Sequence, residues 1–410
     1  MAATATITTP ARWLSIVGIG EDGAAGLSPI ARRLIEKAEL VVGGARHLAL
    51  AGALVGGERL AWPSPMDAGF TEIVARRGRA VTVLASGDPF HYGVGKQLAA
   101  LVDADEILCV PHASAFSLAA ARLGWALQDT ATVTLHGRAL EGIVRYLQPG
   151  ARILALAWDG TTPAMLARLL SERGMGKSRI TVLECMGGAR ERVRSAKADA
   201  FALDRIDALN TIAVRIVADA QSAVVPLSPG LDDTLYEHDG QLTKREIRAI
   251  SLSSLAPRAG ELLWDIGLGA GSIAIEWLLR HPSLRAIGIE QRADRVAHAA
   301  RNAAALGTPD LTIIEGRAPE GLSDLPAPDA IFLGGGLSDG VFESAWSALK
   351  PGGRMVANAV TAEGEQGLFA AFQRHGGALS RLAIAHLDNV GSLHGWRPAM
   401  PVTHWRTTKP

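Results

Sequence analysis

Three glycines spaced two apart, Gly267, Gly269 and Gly271, separate two apolar runs in LLWDIGLGAGSIAIEW (262–277). One glycine permits a tight turn there, and the others let backbone N–H groups approach a ligand closely. Glu290 ends the next apolar run, some 20 residues on, where a carboxylate can accept hydrogen bonds from both hydroxyls of a ribose. Asp265 stands just before the glycines, where a carboxylate can meet a ligand ammonium. Ser272 and Glu276 enter the following helix, and acidic neighbours at a helix start suit a cationic ligand better than a pyrophosphate. The pattern therefore favours S-adenosylmethionine. A dinucleotide remains the alternative reading, and a purely structural turn the third. A second turn, ASGDPF (85–90), closes the apolar run 80–84. Gly87 releases the strand, Asp88 can bond its own backbone and Pro89 fixes the exit. Turns of that kind are common, so a structural role stays open for it.

The elements that must carry these turns alternate from end to end. Short apolar runs such as LSIVGIG (14–20), ILALAW (153–158) and ITVLEC (180–185) are separated by Ala- and Leu-rich helical patterns. In SPIARRLIEKAE, Ser28 can cap a helix and Pro29 fits its first position. Alternation of this kind predicts an α/β protein with largely parallel sheets. After the glycine turn the series continues as a helix over 272–280, a strand over 285–291, a helix over 294–306, and strands over 311–316, 329–335 and 354–360. The segment PLSPGLDDTLYEHDGQ (226–241) has two prolines, two glycines, four acidic residues and no periodicity, so it reads as a linker-like start to a second domain. The expected division is 1–225 and 226–410.

Composition narrows the function. At 410 residues, two cores are expected. Lys plus Arg and Asp plus Glu both number 41, and the halves carry roughly +3 and −3. Neither half has the charge of a general nucleic-acid binder. Cys109 and Cys185 lie in apolar runs and read as core thiols rather than a disulfide framework. The eleven histidines lack metal-ligand spacing, so no metal centre is expected. No apolar run of 18 residues appears and MAATATITTPAR is not a secretory leader, so a cytoplasmic protein without membrane contact is expected.

The motifs together carry a family resemblance. GQLTKREIRAISLSSL (240–255), WDIGLGAGSIAIEW (264–277), IGIEQR (287–292), EGRAPEGL (315–322) and PDAIFLGGG (328–336) resemble the C-terminal, decarboxylating domain of the precorrin-6Y C(5,15)-methyltransferase family of cobalamin biosynthesis. WLSIVGIGEDG (13–23), LASGDPFHYGVG (84–95), HASAFSLAAARLG (112–124), LHGR (135–138) and LNTIAVRI (209–216) resemble the tetrapyrrole methylases with which that family begins. The turn reads GLGAG where the family often has GAGSG, so Leu268 and Ala270 depart from the pattern while the glycines stay. Glu21 stands where proline is frequent in the opening loop.

The resemblance implies an N-terminal two-lobed tetrapyrrole-methylase domain and a C-terminal Rossmann-like domain, with one S-adenosylmethionine in each. Donor contacts carry over to Thr243, Asp265, Gly267, Leu268, Gly269, Ala270, Gly271, Glu290 and Ala318 in the second half. In the first half they carry over to Gly87, Asp88, Ser114, Ala115, Met186 and Ala213. The implied substrate is a tetrapyrrole bearing acetates and propionates. Lys244 and Arg248, at i and i+4 on one helical stretch, together with Arg245 and Arg138, are candidates to capture its carboxylates. Arg317 and Arg397 are further candidates, and His91, beside the first donor loop, could face substrate. The implied reaction is methylation at ring carbons 5 and 15 with decarboxylation of the ring-C acetate. Glu276, His386 and Asp265 are candidates for the acid that decarboxylation needs, and His394 lies near His386 in the same C-terminal turn. Relatives of both domains assemble, so a homo-oligomer is implied. The alternative is a methyltransferase of RNA or protein with an N-terminal binding module.

Overall fold

The computed structural model describes residues 12–335 and 339–410, except for the side chain of Asp339. The segment read for a leader, up to residue 11, lies outside them, as does Gly336 of the PDAIFLGGG motif. The chain divides into two compact units. One runs up to Arg138 and resumes over Gln148–Ala223; the other comprises Ala139–Leu147 and Val224–Pro410.

The first unit holds two five-stranded sheets. In the first, β1 (Leu14–Ile19), β2 (Leu40–Gly43), β3 (Glu58–Ala61), β4 (Val81–Ser86) and β5 (Ile107–Val110) stand in the order β3-β2-β4-β1-β5. All its neighbours are parallel. Every residue of β1 is buried, as expected where both faces of a parallel sheet are covered. Leu14 and Ile16 join one apolar cluster, Val17 and Ile19 another, so the sheet is sandwiched. The helix Pro29–Lys37 (α1) starts as expected, with Ser28 Oγ accepting the Ala31 N–H at 3.2 Å.

The second sheet departs from the parallel expectation. Its strands β6 (Ala131–Thr134), β7 (Arg152–Leu156), β8 (Arg179–Glu184), β9 (Arg192–Lys197) and β10 (Asn210–Arg215) run in the order β6-β7-β10-β8-β9. Only β6 and β7 are parallel; β10 is antiparallel to β7 and β8, and β8 to β9. The short connection from β8 to β9 leaves no room for a crossover helix, which a parallel pair would need.

The second unit is built on one seven-stranded sheet. Its strands are β11 (Leu262–Ile266), β12 (Arg285–Glu290), β13 (Thr312–Glu315), β14 (Ala330–Leu333), β15 (Arg354–Ala359), β16 (Ala378–Leu382) and β19 (Val402–Thr408). They stand in the order β13-β12-β11-β14-β15-β19-β16. The first five are parallel; β19 lies antiparallel between β15 and β16. Between β16 and β19 the chain forms a separate exposed hairpin, β17 (Ala385–Val390) and β18 (Leu393–Pro398). The strand order reverses between β11 and β14, and an open sheet of this kind binds ligands outside its carboxyl ends at that point.

Candidate functional site

The glycine turn follows β11 at this reversal. Gly267, Gly269 and Gly271 adopt φ of +78°, +55° and +82°, values that side-chain-bearing residues rarely take. Gly267 N and Leu268 N both donate to Ile289 O at 3.0 Å, which fixes the turn to the end of β12. A Cβ on Gly271 would lie 3.2 Å from Ala299 Cβ, so this glycine lets helix α4 (Ser272–Arg280) pack on helix α5 (Ala293–Ala305). Leu268 does not protrude: its methyls lie 2.5–2.6 Å from where a Gly288 Cβ would be. The absent side chain in IGIEQR thus accommodates the departure in GLGAG.

Two buried carboxylates frame the turn. Glu290 Oε2 accepts the Gly269 N–H at 2.9 Å and Oε1 the Arg292 N–H at 3.0 Å. Asp265 Oδ2 accepts the Ala274 N–H at 3.1 Å and thereby caps α4, whose N-cap glycine has no side chain to do so. Burial pushes the Asp265 carboxyl up to about 8; the Ala274 N–H opposes this and the Glu290 charge adds to it. A ligand ammonium at this position would reverse that shift. The turn is also held from behind. Asn302 Nδ2 donates to Ala270 O and to Glu237 O, both at 2.9 Å, while its Oδ1 accepts the Glu237 N–H at 2.8 Å. Sequence reasoning missed Asn302; its only signal is a lone amide in the alanine-rich run ADRVAHAARNAAA. Ala318 is half-buried against the apolar cluster that includes Ile289.

Several expected substrate and acid residues have other duties. Glu276 is fully buried and accepts Gly230 N–H at 2.6 Å, Leu231 N–H at 2.9 Å, the Tyr236 hydroxyl at 3.1 Å and Arg248 Nε. Such a carboxylate has no capacity left to hand a proton to substrate. Arg248 is equally buried. It donates also to Asp233 at 3.0 Å, to Thr243 O at 2.5 Å and to Leu231 O, and stacks over Tyr236. It therefore does not present a free edge to a substrate carboxylate, as its spacing from Lys244 had suggested. Instead Lys244 approaches Asp233 as well, at 3.8 Å. The segment 226–241 is accordingly not a slack linker, since its backbone donors and Tyr236 are drawn in by Glu276. Arg245 is exposed at the start of helix α3 (Arg245–Leu255). His386 and His394 are exposed on β17 and β18, and Arg397 pairs with Asp388 at 3.1 Å on the same hairpin.

In the first unit, the ends of β1, β4 and β5 are laced together. Gly87 N donates to Ile19 O at 3.2 Å and His112 N to Gly87 O at 3.1 Å. A Cβ on Gly18 would fall 1.9 Å from Gly87 O, so the loops close only on glycine. Asp88 Oδ1 accepts the Phe90 N–H at 2.9 Å, the local turn expected of it. Ser114 caps the helix Ala115–Leu123 (α2) through the Ser117 N–H at 3.1 Å. Ala115, Met186 and Ala213 meet in one apolar cluster with Phe116, although they come from α2, the loop after β8 and β10. His91 lies against Phe116, ring centroids 4.7 Å apart. Cys185 is buried and its thiol is pushed up to about 11, chiefly by burial. Arg138 is exposed after β6.

Among the described residues no group of three His, Cys, Asp or Glu could hold a metal ion, and no helix is long and apolar enough to cross a membrane. Residues 14–202 match the family described as Tetrapyrrole (Corrin/Porphyrin) Methylases, and residues 234–409 the Precorrin methyltransferase domain. The chain is 54% identical over 398 residues to a precorrin-6Y C(5,15)-methyltransferase (decarboxylating) of Sinorhizobium sp, covering 97% of this chain and 96% of the relative. It is 33% identical to a cobalt-precorrin-7 C(5)-methyltransferase of Salmonella typhimurium, covering 44% of this chain and 88% of that one. It is 36% identical to a protein of Saccharolobus solfataricus named "Probable cobalt-precorrin-6B C(15)-methyltransferase (decarboxylating)", covering 36% and 78%.

Proposed function

The chain belongs to the decarboxylating precorrin-6Y C(5,15)-methyltransferases of cobalamin biosynthesis, and from that premise we propose how its two units share the work. The first unit methylates carbon 5 of the ring. The second methylates carbon 15 and releases the ring-C acetate carboxylate as carbon dioxide. The observation that carries this division is the presence of two donor-type loops in separate units, each at the carboxyl ends of parallel strands. The Salmonella typhimurium and Saccharolobus solfataricus relatives support it, since each is named for one of the two methylations and matches less than half of this chain. A methyltransferase of RNA or protein is not favoured by these relatives.

The family uses S-adenosylmethionine, and our reading gives one molecule to each unit. The second site fits it: the turn 267–271 offers a backbone cradle, Glu290 a carboxylate at the position of the ribose hydroxyls, and Asp265 one for the amino group. In the first unit, Gly87, Asp88, Ser114, Ala115, Met186 and Ala213 would surround it. Bound there, the donor supplies an electrophilic methyl group. The protein's part is alignment, which can account for about 7–11 kcal/mol of barrier reduction. The ring carbon supplies the electron pair for the new C–C bond as the sulfur–methyl bond breaks. In the decarboxylation the acetate C–C bond breaks, its electron pair enters the conjugated ring and a proton is then delivered to carbon. Glu276 is engaged elsewhere and Asp265 faces the donor. His386 is our candidate acid, because its hairpin leaves the sheet at the edge that bears the glycine turn: Ala359, the last residue of β15, pairs with Thr403 just after the hairpin's return. Of the carboxylate candidates, Arg245, Lys244 and Arg138 keep exposed side chains.

We extend the proposal to a cytoplasmic homo-oligomer that binds no nucleic acid, the last point in line with the near-zero charge of both halves. Calorimetric titration with S-adenosylmethionine tests the central division. Two equivalents bound per chain are expected, and a single equivalent would overturn it.

A further inference from the structure

Three neighbouring parallel strands of the first unit end in a cluster of side chains that the donor contacts leave unused. Glu21 lies two residues after β1, Arg46 three residues after β2, and Ser86 is the last residue of β4. In the sheet these strands stand side by side, in the order β2-β4-β1. Arg46 Nη1 pairs with Glu21, whose side chain is only 13% exposed. Its Nη2 donates to Ser86 Oγ at 2.8 Å and lies 3.1 Å from His47 Nε2. His47 Nε2 and Ser86 Oγ are themselves 2.8 Å apart. Burial, and then the neighbouring Arg46 charge, lower the His47 imidazole to about 4. The ring is therefore neutral near pH 7, so it adds no second positive charge and its Nε2 can accept a hydrogen bond from the Ser86 hydroxyl.

The guanidinium is thus held at both terminal nitrogens before any ligand arrives, yet 39% of its side chain remains exposed. A cation fixed in this way gives up little conformational freedom when it binds a carboxylate, and the guanidinium N–H groups not used by Glu21 and Ser86 can still donate charge-assisted hydrogen bonds to it. Its position is also specific. Ser86 directly precedes Gly87 of the donor loop. Glu21 adjoins the loop after β8, because a Cβ on Gly188 would fall 2.8 Å from Glu21 Cβ. That loop contains Met186, so the cluster sits where both lobes of the unit meet around the donor contacts.

We propose that Arg46, pinned between Glu21 and Ser86, receives an acetate or propionate carboxylate of the tetrapyrrole beside the first unit's donor loop. His47 is a positioning residue: by accepting the Ser86 O–H it turns the Ser86 oxygen toward Arg46 and so fixes the guanidinium. The proposal rests on the reading that this unit performs the C-5 methylation.

The test uses the full chain with tetrapyrrole substrate and S-adenosylmethionine, following each methyl addition by mass. Arg46→Ala should raise KM for the C-5 addition roughly tenfold to a hundredfold. Its kcat, the donor Kd and the C-15 addition should stay unchanged. Arg46→Lys, which keeps charge but loses the fork, should fall between, and Ser86→Ala should show a smaller rise. An unchanged KM in Arg46→Ala would overturn the proposal. So would a loss of donor affinity and thermal stability in both Arg46→Ala and Arg46→Lys, which would make the arginine a structural brace. Gly87→Val separates the two levels. If that chain still adds both methyl groups, the C-5 reading itself fails. If it loses only the C-5 methyl while Arg46→Ala keeps the wild-type KM, only the present proposal fails.

Discussion

Glu290 Oε2 accepts the Gly269 N–H at 2.9 Å, so the carboxylate proposed for the donor ribose also holds the glycine turn proposed to cradle the donor. Recognition and loop geometry therefore depend on one side chain. A hydrogen bond to a charged group contributes about 1.5–3 kcal/mol. Glu290→Gln should weaken donor binding at the second site by roughly tenfold to a hundredfold, and Glu290→Ala by more. Titration calorimetry should show only one of the two binding events affected. Equal weakening of both would mean that the sites are not separate.

Asp265 gives a pH signature. Its carboxyl titrates at about 8 in the folded chain, against 3.8 ordinarily. Between those values the unfolded chain loses this proton and the folded chain keeps it, so the contribution to stability falls as pH rises from about 4 to about 8. Asp265→Asn should remove that slope, and its stability relative to wild type should rise with pH over this window in urea unfolding. A donor ammonium favours the ionised carboxylate. Donor affinity at the second site should therefore increase toward pH 8, with proton release visible in buffers of different ionisation enthalpy. Asp265→Asn should abolish the release.

Arg248 and Glu276 form a buried pair with distances and partners typical of a structural brace. Removing one member strands the other charge, at a cost of about 3–5 kcal/mol. Arg248→Met should lower the unfolding midpoint in denaturant substantially, and any chain that still folds should keep its KM for tetrapyrrole. A stable variant with a raised KM would show instead that Arg248 meets substrate.

The glycines of the turn should differ in cost. Gly267→Ala and Gly271→Ala both place a side chain at φ near +80°, which costs about 1–2 kcal/mol. Only Gly271→Ala also crowds Ala299, 3.2 Å away, so it should be the more destabilising by thermal unfolding. Equal melting shifts would show that α4 and α5 give way without cost.

Much of this architecture was legible in the sequence because it is local. The strand–turn–helix of the second half, Ser28 as a cap and the position of Glu290 follow from apolar period and glycine spacing alone. What misled was long-range. Glu276 and Arg248 carry the residue types of a catalytic acid and a carboxylate clamp. Their roles are set by Gly230, Leu231 and Tyr236, some 40 residues distant in the chain for Glu276, which no helical period reveals. The antiparallel second sheet escaped notice because its buried strands have the same continuous apolar runs as parallel ones. Arg46 and His47 lie in GGARHLAL, which reads as a loop entering a helix; only the side-by-side ends of β1, β2 and β4 give them a partner in Ser86.

Mass spectrometry of the product made by the purified chain from reduced precorrin-6 and S-adenosylmethionine tests the central claim most directly. Two methyl groups gained and one carbon dioxide lost are expected. A product with one methyl group and the same loss of carbon dioxide would contradict the assignment of a methylation to each unit.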